Sequence, residues 1–140
     1  MDIVEAWHAA VNASDAERAA PLSHPEVEVV GPRGVATGRA VVREWVGHAG
    51  IRLEPRRWFR RDDRVVVEQR ARWRDAATGE AGDPLTVATV FRLRDGLIQR
   101  IARRDTLQDA LVEAGLDKST EVERNPAPGG TTGTTDRIGA

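Results

Sequence analysis

From Ile51 to Arg104 the chain alternates apolar and polar residues with a period of two. That is the repeat of an extended strand, whose successive side chains point to opposite faces. Ile51, Leu53, Pro55 and Phe59 fall on one face of the first such run, with Arg52, Glu54, Arg56 and Trp58 on the other. After Asp62-Asp63 the alternation resumes, with Val65, Val67, Gln69, Ala71 and Trp73 on one side and Val66, Glu68, Arg70, Arg72 and Arg74 opposite. A glycine-containing loop, Ala76 to Pro84, leads to a third run whose inner face is Leu85, Val87, Thr89, Phe91 and Leu93. Asp95-Gly96 follows, a pair suited to the positive φ angles that a two-residue hairpin turn requires. Leu97 to Arg104 therefore folds back as a partner strand. This half of the chain must form an antiparallel sheet with one apolar face, and something must cover that face.

The cover lies upstream. Ile3, Ala6, Trp7, Ala10 and Val11 form a stripe at helical spacing from Asp2 to Asn12. Ser14 stops this helix, and Asp15 starts a second, short one. Pro25 to Val30 reads as a strand ending in Gly31-Pro32 and Arg33-Gly34. From about Arg39, Val41, Val42, Trp45, Val46 and Ala49 form another helical face, closed by Gly50. A last helix is expected from Leu107 to Ala114, capped by Thr106 and closed by Gly115. From Asn125 the chain is dominated by Pro, Gly and Thr, with Ile138 its only large apolar residue. Such a segment buries too little to offset its ordering entropy. The expected division is a domain over residues 1–117 and a disordered tail over 118–140.

At 140 residues there is room for one domain. No stretch approaches the roughly 18 apolar residues of a membrane span, and the N-terminus lacks the basic start of a signal peptide. The expectation is a soluble cytoplasmic protein with no membrane partner. Without cysteine there is neither a disulfide frame nor a thiol nucleophile. The histidines and carboxylates lack metal-ligand spacing, so neither metal nor cofactor is expected. Nine arginines lie between Arg52 and Arg74, but Glu54, Asp62, Asp63, Glu68 and Asp75 are interleaved with them and the net charge is −1. That balance argues against a nucleic-acid partner.

The element order helix, short helix, strand, helix and four antiparallel strands resembles the cone of the nuclear transport factor 2-like superfamily. Val90 to Ile101 (VFRLRDGLIQRI) and Ala110 to Leu116 (ALVEAGL) are similar to the closing hairpin and helix of bacterial SnoaL-like, polyketide cyclase-like members. Trp7 to Asn12 (WHAAVN) and Gly38 to Trp45 (GRAVVREW) resemble their first and third helices. The resemblance covers residues 2–117. It implies an α+β, cystatin-like fold, a curved and mostly antiparallel sheet wrapped around N-terminal helices and enclosing a pocket. Members include isomerases, cyclases, epoxide hydrolases, dehydratases and proteins without known activity, so the fold alone does not choose a reaction.

The residues narrow the choice. The parity of the strands places Arg57, Gln69, Thr89, Gln99 and Arg103 within the apolar inner wall, the composition of a small-molecule pocket. Steroid isomerisation on this fold needs a carboxylate base, a phenol and a protonated acid. The matching positions here are Val29 or Val30, Trp7 and the vicinity of Thr89. Epoxide hydrolysis uses two aspartates flanking an arginine; Arg103 and Asp105 supply one such pair, whose simpler reading is a salt bridge, and the second aspartate is missing. A cyclase needs one acid-base residue in an apolar cavity, for which His8, Asp105 and His48 are candidates. The expected catalytic set is thus Asp105, Arg103 and His8. The expected ligand wall is Trp7, Trp45, Val67, Gln69, Trp73, Val87, Thr89 and Phe91, facing a small apolar molecule of polyketide, terpene or steroid type.

The opposite face offers a second reading, a non-catalytic interaction module. Trp58, Val66, Ala88, Val90 and Ile98 are assigned there by parity, among Arg70, Arg72 and other arginines. Tryptophan and arginine are enriched at interface centres, so a homodimer through Trp58, Val66, Arg70, Arg72 and Val90 is expected.

Overall fold

The computed structural model describes residues 2–31, 34–48, 50–75 and 77–123. Pro32 and Arg33 of the expected turn, Ala49, Ala76 and residues 124–140 of the expected tail lie outside the described residues. Helix α1 spans Ile3–Asn12 and α2 Ala16–Ala19, followed by a 3-10 turn into strand β1, Ser23–Gly31. Strand β2 (Gly34–Thr37) returns beside β1, and α3 runs over Arg39–His48. The long strands are β3 (Ile51–Arg61), β4 (Arg64–Trp73), β5 (Leu85–Arg94) and β6 (Leu97–Arg104), followed by α4 (Leu107–Ala114) and a short β7 (Glu121–Val122). Among the described residues no helix is long and apolar enough to cross a membrane.

Local chemistry sets the ends of these elements. Asp2 and Glu5 form a reciprocal capping box at the start of α1. Asp95 and Gly96 both have positive φ, 54° and 77°, as the tight β5–β6 hairpin demands. Gly115 closes α4 in the left-handed region at φ 70°.

The seven strands form one sheet in the order β2-β1-β6-β5-β4-β3-β7, antiparallel throughout except where β1 runs parallel to β6. Its concave face packs on α1 and α3 through Val4, Trp7, Val11, Val42, Val46, Val65, Val67 and Phe91. The convex face carries a second core. Phe59, Val66, Ala88, Val90 and Ala102 are buried there with Ala110, Leu111, Ala114 and Leu116 of α4 and the turn after it.

This second core corrects the expected dimer face. Val66 and Val90 are 0% and 5% exposed beneath the chain's own helix, and only Arg70 and Arg72 of the expected patch remain in solvent. The sequence pattern of α4 announces an apolar stripe, but not which sheet face receives it.

Two bulges correct the faces of three more residues. The β3–β4 register slips between Pro55 and Arg57, so side chains beyond the slip change sides. Trp58 is thereby buried in the concave core at 6% exposure, and Phe59 joins the convex one. A slip between Arg92 and Leu93 does the same to β6, turning Ile98 into the concave core. Residues 118–122, expected within the tail, instead form a 3-10 turn and β7, which pairs with β3 at Trp58 and Phe59. Arg57 holds this return in place through two hydrogen bonds to Glu121, at 2.9 and 2.8 Å.

Candidate functional site

The cone encloses a cavity of about 660 Å3 between the concave face and the helices. Its buried wall is Trp7 from α1, Val42 from α3, Ile51 and Leu53 from β3, Thr89 from β5 and Ile101 from β6. Trp45 of α3 is half-buried and stacks on Trp7, with ring centroids 6.0 Å apart and planes 11° from parallel. The exposed lining residues Gly31, Arg103, Asp105 and Asp109 mark its mouth. A flat apolar molecule beside the indole pair gains both burial and ring contact, and charged groups meet whatever polar end it directs outward.

Arg103 and Asp105 are both at this mouth, but no ion pair within 4.0 Å joins them. The salt bridge expected from their spacing is therefore replaced by another arrangement. The Arg103 guanidinium lies over the Trp73 ring, 4.9 Å from its centroid. Both charged groups are left open to a ligand. Asp109, in the first turn of α4, adds a second carboxylate that parity arguments on strands do not reach.

His8 is not at the wall. It is 3% exposed and lies behind the cavity, with Nδ1 2.7 Å from the Val4 carbonyl oxygen and Nε2 2.8 Å from the Gln69 side-chain nitrogen. Burial pushes its pKa down to about 4, against the smaller opposing effect of the Val4 bond, so the ring is neutral at neutral pH. Gln69 Oε1 in turn accepts from the Thr89 hydroxyl at 2.7 Å. A buried neutral ring with both nitrogens engaged is a poor general acid or base, so His8 leaves the catalytic set for a structural one. His48 is exposed and bonded to its own helix, away from the cavity.

Of the expected wall, Trp7, Trp45 and Thr89 reach the cavity. Val67, Gln69, Val87 and Phe91 are buried in the layer behind, and Trp73 sits half-buried under Arg103. Parity assigned their face correctly but carries no depth. Arg57 and Gln99 go elsewhere, Arg57 to Glu121 and Gln99 to the Glu26 carbonyl. Val29 and Val30, which the resemblance puts at the base position of the isomerases, line the cavity with Gly31 of β1 although they are absent from the expected wall; the parallel β1–β6 pairing that brings them there has no local signal in the sequence. Among the described residues no group of three or more His, Asp or Glu side chains is placed to hold a metal ion.

The chain belongs to the SnoaL-like domain family, whose model matches residues 4–101. Its fold is the mixed, curved-sheet cone of nuclear transport factor 2-like and cystatin-like proteins. No curated protein matches it. Among solved structures, TerC co-crystallised with polyporic acid is 26% identical over 80% of this chain and 94% of its own, with a TM-score of 0.65. A putative polyketide cyclase from Sinorhizobium meliloti is 21% identical over 73% and 93%, with a TM-score of 0.63. SalBIII, an epoxide hydrolase/cyclase-like enzyme of pyran ring formation in the polyether salinomycin, is 20% identical over 76% and 90%, with a TM-score of 0.64. The last two likenesses show the fold alone.

Proposed function

We propose that this protein binds a small, flat and largely apolar molecule in the cone, with its polar end at the Arg103–Asp105 mouth. The observation that carries this reading is the Trp7–Trp45 stack in the wall of a cavity whose floor is aliphatic. TerC, crystallised with polyporic acid, supports a small-molecule ligand for this fold. Arg103 would meet an anionic or carbonyl oxygen, and Asp105 or Asp109 would move a proton if the bound molecule is transformed.

A thermal-shift screen of aromatic and polyketide-like compounds tests the reading, because a molecule that binds only the native state raises its apparent stability. Hits should disappear or weaken by an order of magnitude in Trp45→Ala. A broad library without a single hit would remove small-molecule binding as the function.

A further inference from the structure

Apart from the Trp7 indole N–H, a donor without a hydrogen-bond partner, the buried wall of the cavity has one polar side chain, Thr89, and the hydrogen-bond chain behind it determines what Thr89 can offer. The Val4 carbonyl can only accept, so the hydrogen of a neutral His8 ring sits on Nδ1. Nε2 is then a lone pair, and it faces the nitrogen of the Gln69 amide, which donates to it. Reversing that amide would set two acceptors against each other at 2.8 Å. Its oxygen is thereby committed toward Thr89, whose hydroxyl must donate to it. His8, Gln69 and Thr89 are 3%, 0% and 2% exposed, so no solvent exchange relieves the sequence of donors.

A hydroxyl has a single proton, and that of Thr89 is spent. We propose that Thr89 meets a ligand as an acceptor only, so that the cavity selects a molecule presenting a hydroxyl donor, of phenol or enol type, at its inner end. Arg103 is the register partner of Thr89 across the β5–β6 pair, and it stands at the mouth with donors only. The complementary ligand is polarised along its length, with a hydroxyl inside and an anionic or carbonyl oxygen outside. This assignment rests on the binding function proposed above and adds the orientation and the class of the inner group.

The test uses three naphthoates of one shape, 6-hydroxy-2-naphthoate, 6-methoxy-2-naphthoate and unsubstituted 2-naphthoate, with binding followed by tryptophan fluorescence and thermal midpoint. The hydroxy compound should bind about tenfold more tightly than either of the others, one hydrogen bond's worth of discrimination. Because 2-naphthoate is the smallest, its weakness separates hydrogen bonding from size. Thr89→Val should bring the three together by weakening the hydroxy compound alone, and Thr89→Ser should keep the preference. Gln69→Met, which returns the Thr89 proton, should narrow the gap between hydroxy and methoxy compounds. Equal binding of all three to the native protein, or a preference that survives Thr89→Val, overturns the donor assignment while leaving ligand binding intact. If none of the three binds while the broader screen gives hits, the donor assignment falls and ligand binding stands; if the broader screen is empty as well, both fall.

Discussion

The side-chain amide of Asn12 takes the place of a neighbouring strand for Leu53. Its nitrogen donates to the Leu53 carbonyl at 2.9 Å, and its oxygen accepts from the Leu53 N–H at 2.7 Å. β7 shields the outer edge of β3 only at Trp58 and Phe59, so the last residue of α1 completes the cover further along. Asn12→Ala leaves both backbone groups without that partner and is expected to cost about 2 kcal/mol, within the range for unsatisfied groups at a partly buried site. Urea unfolding measures it, and a loss below about 0.5 kcal/mol would mean that water substitutes freely for the amide.

The buried His8 makes stability depend on pH. Its ordinary pKa of 6.5 applies in the unfolded chain and about 4 in the folded one, so between these values only the unfolded state gains the proton. Stability therefore falls as pH drops through this window, by about 2 kcal/mol between pH 8 and pH 5. Glu121, held below the usual carboxylate range by its Arg57 hydrogen bond, stays charged through most of the window and adds its own loss only at lower pH. His8→Gln should flatten the profile from pH 8 to pH 5, and an equally steep profile in that variant would assign the dependence to another group.

Gly115 combines a φ of 70° with a tight neighbour, since a Cβ there would lie 3.0 Å from Arg64 Nη1. That nitrogen donates to the carbonyl of Ala114 at 3.0 Å. Gly115→Ala should cost about 1–2 kcal/mol from left-handed strain and the displaced guanidinium. Because α4 covers the convex core, the same variant should speed hydrogen exchange in α4 before the central strands. Uniform acceleration would show that α4 opens only with the whole domain.

Ending the chain at Asp117 removes β7 and the Glu121 partner of Arg57. The melting midpoint should fall by several degrees, more than in Glu121→Gln, which keeps the strand pairing. Equal midpoints for the shortened and full chains would make β7 an ornament of the edge.

Hairpin chemistry at Asp95-Gly96 and the helix-end residues Thr106 and Gly115 are local signals, and they mark the turn and the ends of α4 directly. Val66 and Val67 were assigned to opposite faces by alternation alone, and β4 keeps that alternation through its length. Trp58 and Phe59 were interchanged because a bulge changes the count without changing the composition. Thr89 and Gln69 share a face and differ in depth, which depends on how strongly the sheet curves around Trp7. The site's β1 wall needed a long-range parallel pairing, and α4's choice of the convex side needed the whole sheet to exist first.

The slip between Pro55 and Arg57 also makes β3 answer insertion and deletion differently, in a way that substitution does not probe. Arg56 is the residue this slip leaves without a partner, so its loss would give plain alternation with both rings on their present faces, whereas one residue gained and paired regularly would send the Trp58 indole outward, under α4, and turn the Phe59 ring toward His8. The helix-covered side would then be overfilled and the concave side left with a void. A strand of this kind behaves like a reading frame with one spare letter: losing that letter keeps the frame, and adding another breaks it.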